Sequence, residues 1–328
     1  MLGFVVRRLA AGLPVLFIIT IFAFAIINMA HGDPAVAMFG NQLEKMREQD
    51  QERIRENLGL DQPLPIRYGK WLTGVFQGEL GRSYIDGRPV ADLITERLWS
   101  TAFLSGAALV TTALVAVVAG VLSALKPHST FDHITTVLSL VFYSIPSFWL
   151  SMLFILIFAV YFGVLPSSGI SSIGRETDIT DRLRHLLLPV LVLSLSHAGP
   201  YIRLVRSSMV ETLAQDYMIT ARAKGLSQFN IYFHHALRNA LIPFITYLGL
   251  SFASLIGGAY LVETVFAYPG LGQLTVYAAA TRDYPVLMAS VLLTGAFVVV
   301  GNMVADILCA WIDPRMKLGM AARRTGHG

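Results

Sequence analysis

Six long hydrophobic runs, separated by polar stretches, set the pattern of this sequence. The runs cover residues 9–29, 101–125, 134–162, 186–202, 241–262 and 287–311. A bilayer core of about 30 Å needs about 20 predominantly apolar helical residues, so each run is a candidate transmembrane helix. The pattern therefore predicts an all-α integral membrane protein with six transmembrane helices.

The polar stretches divide the chain into residues 1–30, 31–94, 95–313 and 314–328. The first part holds a helix that we interpret as a retained anchor. A cleavable signal peptide is the alternative, but its apolar core would be roughly 7–15 residues long and no small-residue cleavage site follows. The second part predicts a small extracytoplasmic domain between helices 1 and 2. Its apolar face, at helical spacing, comes from Trp71, Leu72, Val75 and Phe76.

The distribution of Lys and Arg predicts the orientation. Twelve of them lie in segments 1–8, 126–133, 203–240 and 313–328, and only four in the short loops 163–185 and 263–286. Cytoplasmic loops are enriched in basic residues, so both termini are predicted to be cytoplasmic. The net charge of +4 and the pI near 9.2 then reflect topology, and no nucleic-acid partner is predicted. With 14% charged residues, the chain is too apolar for a typical soluble domain.

The polar segment after the fourth run has a helical pattern of its own. Asp216 can cap a first helix, and cations in the last turn of that helix suit its dipole. Gly225 stands where a left-handed residue ends a helix, and Ser227 can cap a second helix. The segment therefore predicts a helix, a glycine elbow and a second helix, which together form a rigid docking element outside the membrane.

Motifs that would carry catalysis are missing from the sequence. No G-x-x-x-x-G-K-[ST] motif is present, so the chain is not predicted to bind or hydrolyse ATP. His234 and His235 are adjacent, would point in different directions on a helix, and are not expected to share a metal ion. We therefore predict a protein that is not an enzyme and binds no cofactor or metal itself.

Some residues inside the hydrophobic runs are polar or break a helix. Asn302 and Asp306 are four residues apart on one face of the last run, where they either bond between helices or take part in gating. A proline in the third run frees backbone carbonyls. This stretch predicts either a simple packing kink or one wall of a water-filled pathway. Its residues are Tyr143, Ser144, Pro146 and Ser147.

The sequences TARAKGL at 220–226 and HALRNALIP at 235–243 resemble the cytoplasmic coupling loop of ABC importer permeases. The match is to the variant typical of binding-protein-dependent dipeptide, oligopeptide and nickel permeases. It departs from the general pattern where Ile219 replaces Glu, His235 replaces Ile and Arg238 replaces Pro. Other family-like segments extend the resemblance over nearly the whole chain, namely GDP at 32–34, LGLDQP at 58–63, YPGLG at 268–272, RDYP at 282–285 and DPR at 313–315.

The resemblance implies a type I ABC importer permease fold, with residues 95–313 as its core, coupling helices at 216–240 and residues 314–328 as a cytoplasmic tail. It implies that a group of residues in this loop couples the chain to a separate ATPase. These residues are Asp216, Thr220, Ala221, Arg222, Ala223, Lys224, Gly225, Leu226, His235 and Arg238. Ala221 and Gly225 are expected to be small enough for close approach of that ATPase. A translocation path or gate is expected near Tyr143, Ser144, Pro146, Ser147, Gly257, Gly258 and Glu263.

The resemblance also implies partners and a location. The partners are a second homologous permease, one or two cytoplasmic ABC ATPase subunits that bind ATP and Mg²⁺, and an extracytoplasmic substrate-binding protein. The chain is expected in the bacterial inner membrane, in contact with lipid. Its expected activity is ATP-driven import of di- or oligopeptides. Nickel, glutathione or another small solute is an alternative cargo, and an autonomous channel or proton-coupled carrier is a more distant alternative.

Overall fold

The computed structural model describes residues 2–29, 34–39, 41–57 and 59–312, with the side chains of 249–258 and 304–306 among those left out. Regular structure in these residues is helical, apart from an isolated β-bridge between Arg82 and Pro89. The α-helices are α1 (Leu2–Met29), α2 (Pro34–Phe39), α3 (Asn41–Lys45), α4 (Glu48–Asn57), α5 (Leu64–Gln77), α6 (Val90–Leu125), α7 (Thr130–Ser144), α8 (Ser147–Phe154), α9 (Ile179–Leu213), α10 (Asp216–Ala223), α11 (Leu237–Val265), α12 (Leu271–Thr281) and α13 (Tyr284–Ile312). Two π-helical segments, Ile155–Tyr161 and Asn230–Ala236, follow α8 and precede α11.

Four helices in the described residues are long and apolar enough to cross a membrane. They are α1 over Ala10–Met29, α6, α9, and α13 over Tyr284–Met303. They contain the first, second, fourth and sixth predicted runs, and α6 and α9 extend well beyond them. The fifth predicted run lies in α11, which has 29 residues. The all-helical prediction is therefore confirmed, while the total of six spans stays a prediction.

The third predicted run is two helices instead of one kinked helix. α7 ends at Ser144, Ile145 has an extended backbone with φ −77° and ψ 127°, and Pro146 precedes α8. The two helical pieces, Thr130–Ser144 and Ser147–Tyr161, are bent by 107°. Proline disfavours a helical backbone at the residue before it and offers no N–H, so the helix stops there completely. A continuous helix through the third run is therefore wrong.

One compact unit combines Met1–Ala102 with Tyr268–Val299. Tyr68 on α5 packs its ring against Phe24 on α1, with centroids 5.4 Å apart, and its hydroxyl lies 2.9 Å from that of Thr20. Ser83 Oγ donates a hydrogen bond to Asp283, which ties the loop before α6 to the loop before α13. Phe76 is 83% exposed, so the predicted apolar face of α5 is narrower than its spacing suggested.

The second compact unit combines Phe103–Ala267 with Val300–Gly328. Its buried core is built around α9 and includes side chains from α6 and α11. A Cβ added at Gly120 on α6 would lie 2.9 Å from the Ile202 carbonyl oxygen, and one added at Gly199 on α9 would lie 2.6 Å from that of Ser139. Small residues at helix crossings let backbones approach closely in membrane proteins. These two glycines fix how α6 and α7 lie on α9.

Candidate functional site

The predicted docking element begins directly after α9. Gln215 has the extended backbone of a cap residue but makes no side-chain capping bond, and Asp216 is the first residue of α10. The prediction that Asp216 caps this helix is therefore wrong by one position. Its carboxylate still lies in the first turn, where a negative charge suits the helix dipole.

Gly225 ends α10 as predicted, in a left-handed conformation with φ +78°. The Gly225 N–H donates to the Arg222 carbonyl at 3.0 Å, and the Leu226 N–H donates to the Ala221 carbonyl at 3.4 Å. This pair of bonds is a Schellman motif, which satisfies carbonyls that a helix end would otherwise leave unpaired. A residue with a Cβ would be strained at this φ, so glycine fixes the direction of the turn.

The helix after the elbow is capped by Ser227, whose Oγ accepts from the Asn230 N–H at 3.4 Å. From there the chain is helical through the π-helical segment Asn230–Ala236 and directly into α11. The second predicted helix is therefore the beginning of α11 and not a separate element. A π-helical turn inside a longer helix is uncommon and is frequent at functional sites.

The inner face of the element joins the core of the second unit. Met218 and Ala221 on α10 are buried in one cluster with Ile231 and Ala236. Ala221 therefore packs within its own chain, and the expectation that its small size serves close approach of a partner stays a prediction. On the outside, Asn239 Nδ2 donates to the Tyr217 hydroxyl at 3.0 Å. These contacts hold α10 against the start of α11.

The outer face of the element is exposed and carries both apolar and basic residues. Ile219 is 60% exposed and Phe229 69% exposed, and the rings of Phe229 and Phe233 lie 4.8 Å apart. We call the exposed apolar residues the elbow patch; it comprises Ile219, Leu226, Phe229 and Phe233. Exposed apolar groups rimmed by polar residues mark interaction surfaces. The exposed residues beside the patch are Asp216, Thr220, Arg222, Ala223, Lys224, Gly225 and Arg238, with His235 half-buried.

The sequence motif points to Arg222 and Lys224 but not to the aromatic side chains. Phe229 and Phe233 are four residues apart, which on a helix is a same-face spacing and was the available signal. Among the described residues, no group of three or more His, Cys, Asp or Glu side chains is arranged to hold a metal ion.

An ion pair joins α7 to α9 before the element begins. Arg206 Nε donates to Asp132 Oδ1 at 2.5 Å, and its second guanidinium nitrogen donates to Oδ2 at 2.7 Å. The His128 N–H also donates to Asp132 at 2.9 Å. The Asp132 side chain is 3% exposed and that of Arg206 28%. This bidentate bond ties the 126–129 turn to the helix that leads into the elbow, and no pattern in the sequence predicts it.

The structure gives the surroundings of five of the seven residues that are expected along a translocation path. Tyr143, Ser144 and Pro146 are exposed at the break between α7 and α8, and Ser147 is half-buried at the start of α8. Glu263 on α11 is fully buried. The remaining expected residues, Gly257 and Gly258, are in α11, but their surroundings lie outside the described residues.

The polar pair predicted on the last helix is only half visible. Asn302 is half-buried on α13, and Asp306 follows one helical turn later, with its side chain outside the described residues. Their shared face follows from the helical backbone alone. Whether they bond between helices or take part in gating stays a prediction.

Comparison with known proteins gives matches along most of the chain. Residues 116–318 match the family described as binding-protein-dependent transport system inner membrane component, and residues 1–105 match the corresponding N-terminal family. The oligopeptide transport system permease protein AppB of Bacillus subtilis (strain 168) is 40% identical over 318 residues, which cover 97% of this chain and 100% of the relative.

Solved structures give the same fold at much lower sequence identity. A chain of the MetNI methionine ABC transporter, in an inward facing conformation, matches with a TM-score of 0.55 and 18% identity, covering 67% of this chain and 96% of that one. A chain of an amino acid ABC transporter with histidines matches with a TM-score of 0.50 and 14% identity, over 69% and 94%. This chain therefore belongs to the binding-protein-dependent transport system inner membrane components, which are multi-pass permease subunits of ABC importers.

Proposed function

We propose that this chain is the translocation subunit through which an ABC importer takes up di- or oligopeptides. The support for the cargo is the full-length similarity to a relative named as an oligopeptide permease. Nickel, glutathione and other small solutes are the competing cargoes.

The observation that carries the mechanism is that the docking element has an exposed outer face and a buried inner face, which holds it against the rest of the chain. α10 is held by buried Met218 and Ala221, while Ile219 and Phe229 face outward. We propose that the elbow patch enters a groove on a separate ATPase subunit, and that Arg222 and Lys224 meet acidic groups at its rim. Apolar and aromatic anchors surrounded by charges are the usual composition of a binding hot spot.

In this mechanism the chain binds no nucleotide itself. ATP and Mg²⁺ are held by the ATPase subunits, one or two of which dock on this permease and a second, homologous one. Closure of the ATPases moves the elbow. α9 and α11 carry the movement into the membrane, because only residues 214–215 separate α9 from α10 and the helix after Gly225 runs directly into α11. The Asp132–Arg206 pair transmits the same movement to α7.

The proposed topology places both termini and the elbow in the cytoplasm, with six spans and the 31–94 region outside, where a substrate-binding protein delivers cargo. The excess of Lys and Arg in the short segments on the elbow side supports this orientation. Within the membrane, we propose that the break at Ser144–Ser147 and buried Glu263 border the path. A helix break frees backbone carbonyls, which water or a peptide can satisfy.

The cargo is tested by uptake in cells that lack this chain. Labelled di- to pentapeptides, nickel and glutathione are offered to the deletion strain and to the strain complemented with the wild-type chain. Restored uptake of peptides alone is the expected result. Restored uptake of nickel or glutathione without peptides would contradict the proposed peptide cargo but would still support the role of the chain as a permease.

The mechanism is tested by gentle purification of the tagged chain from native membranes. An ABC ATPase and a second permease are expected to co-purify. Phe229→Asp should release the ATPase while the second permease stays bound. If neither protein co-purifies with the wild-type chain, the coupling mechanism is wrong and an autonomous channel or carrier becomes the better hypothesis.

A further inference from the structure

A cavity of about 640 Å³ lies within the first compact unit, among α5, the end of α1 and the start of α13. α5 lines it with Arg67, Lys70, Trp71 and Gly74. These positions are spaced by three, four and seven residues, so they share one face of the helix. A Cβ added at Gly74 would lie 3.0 Å from the Glu79 carbonyl oxygen, so glycine lets the chain after α5 approach this face of the helix closely. The proposed function gives this cavity no role.

Two polar atoms at the cavity lack partners. In the part of the chain that the structure describes, Trp71 Nε1 and Gln62 Oε1 are buried with no hydrogen-bond partner. Buried polar groups in native proteins are nearly always satisfied, and a bound water, ion or ligand is one explanation of an exception. One of these atoms can only donate and the other can only accept. A ligand that satisfies both must carry an acceptor and a donor.

The charged side chains around the cavity also suit a ligand that carries both a negative and a positive group. Arg67 lies over the Phe24 ring at 6.0 Å, and Lys70 is one turn away on the same helix. Glu79 lines the cavity as well. Burial raises the pKa of the Tyr84 phenol above its ordinary value, so its hydroxyl stays protonated and can donate. The lining thus provides donors and cations for an anion, together with acceptors for an ammonium group.

The position of the cavity favours a lipid over a free solute. Phe24 and Ile27, in the last turns of the first hydrophobic run, line the cavity, and so does Tyr284 at the first residue of α13. Tyr and Trp concentrate at this level of membrane proteins, where lipid head groups lie. Phe22 and Ile26 on α1 are 63% and 66% exposed, which offers an apolar surface for acyl chains.

We propose that the cavity binds the phosphoethanolamine head group of a phospholipid. The phosphate accepts from Trp71 Nε1 and is neutralised by Arg67 and Lys70. The ammonium group donates to Gln62 Oε1 and pairs with Glu79. Choline has no N–H and cannot donate to Gln62, and a glycerol head group carries no cation for Glu79. Phosphatidylethanolamine is therefore preferred over phosphatidylcholine and phosphatidylglycerol.

Native mass spectrometry of the full-length chain in detergent, titrated with each of the three lipids, tests this proposal. Phosphatidylethanolamine is expected to bind about tenfold more tightly than the other two, which is the size of one charge-assisted hydrogen bond. Trp71→Phe keeps most of the ring and removes the N–H, so phosphatidylethanolamine affinity should fall about tenfold. Gln62→Leu should reduce the preference over phosphatidylcholine. Arg53→Gln, at an exposed cation that does not line the cavity, is the matched control and should change nothing.

The competing ligands are separate arms of the same experiment. Glycerophosphoethanolamine, inorganic phosphate and a dipeptide are added alone, and each should bind more weakly than the lipid because none has acyl chains. If any of them bound as tightly as the lipid, the proposal that the ligand is a lipid would be wrong. Equal retention of the three lipids, or wild-type affinity in both Trp71→Phe and Gln62→Leu, would overturn the site.

Discussion

Replacing Asp132 by Asn should destabilise the second compact unit and uncouple α7 from α9. The substitution keeps the size of the side chain but removes its charge and turns one oxygen that faces Arg206 into a donor. Breaking a buried, hydrogen-bonded ion pair by changing one partner costs about 3–5 kcal/mol. Arg206 is 28% exposed and can regain some water, so the lower end, about 3 kcal/mol, is expected.

Thermal unfolding of the purified chain, followed by tryptophan fluorescence, measures this loss. At about 2–4 °C per kcal/mol for a unit of this size, the midpoint should fall by about 6–12 °C. Arg203→Gln, at an exposed cation almost one turn earlier on α9, is the control and should change stability by no more than about 0.5 kcal/mol.

A double-mutant cycle separates the pair from the effects of either substitution alone. Asp132→Asn and Arg206→Gln should together cost much less than the sum of their single effects, because either one already breaks the bond. Additive effects, or a loss in Asp132→Asn no larger than in Arg203→Gln, would refute the proposed tie between the helices. Transport should also be measured in these variants. The rate should be lower in each variant that has lost the interaction between Asp132 and Arg206.

Three further substitutions test the elbow and the helix crossing. Gly225→Pro should abolish import, because proline cannot adopt φ +78°; uptake at the wild-type rate would disprove the role of the elbow. Gly199→Ala should lower the unfolding midpoint, since its Cβ would lie 2.6 Å from a backbone oxygen of α7, whereas Gly106→Ala has open space and should be neutral or slightly stabilising. Phe229→Asp should weaken ATPase binding at least tenfold at unchanged stability, and Ile173→Asp, at an exposed residue of another loop, should not.

Local signals in the sequence were sufficient where the chain controls its own backbone. Gly225 was predicted to be left-handed and to end a helix, and both hold because the Schellman bonds involve only neighbouring residues. Asp216 was displaced by one position because Gln215 supplied the extended backbone of the cap without supplying a side-chain bond. The extent of the break at Pro146 was also missed. A proline forbids the helical bond, but the 107° angle depends on what the two halves pack against.

Contacts between distant residues could not be predicted from the sequence. Asp132 and Arg206 are separated by 74 residues, and no pattern along the chain pairs them. The inward direction of Ala221 depends on where Ile231 and Ala236 come to lie after the turn. Trp71 was recognised as part of an apolar face, yet its unpartnered nitrogen becomes visible only when the surrounding helices are in place.

The continuity between the π-helical segment and α11 makes that helix a lever. Its 29 residues span about 43 Å at 1.5 Å per residue. A rotation of about 10° about its midpoint would swing each end through about 4 Å, which is about 0.7 of the rise of one helical turn. Pro243 lies about 1.7 helical turns after the start of α11. It removes a backbone hydrogen bond, so the helix can bend there and transmit less of the movement. The displacement that reaches the membrane end of α11 is thus set by the length and stiffness of this helix, whatever solute is carried.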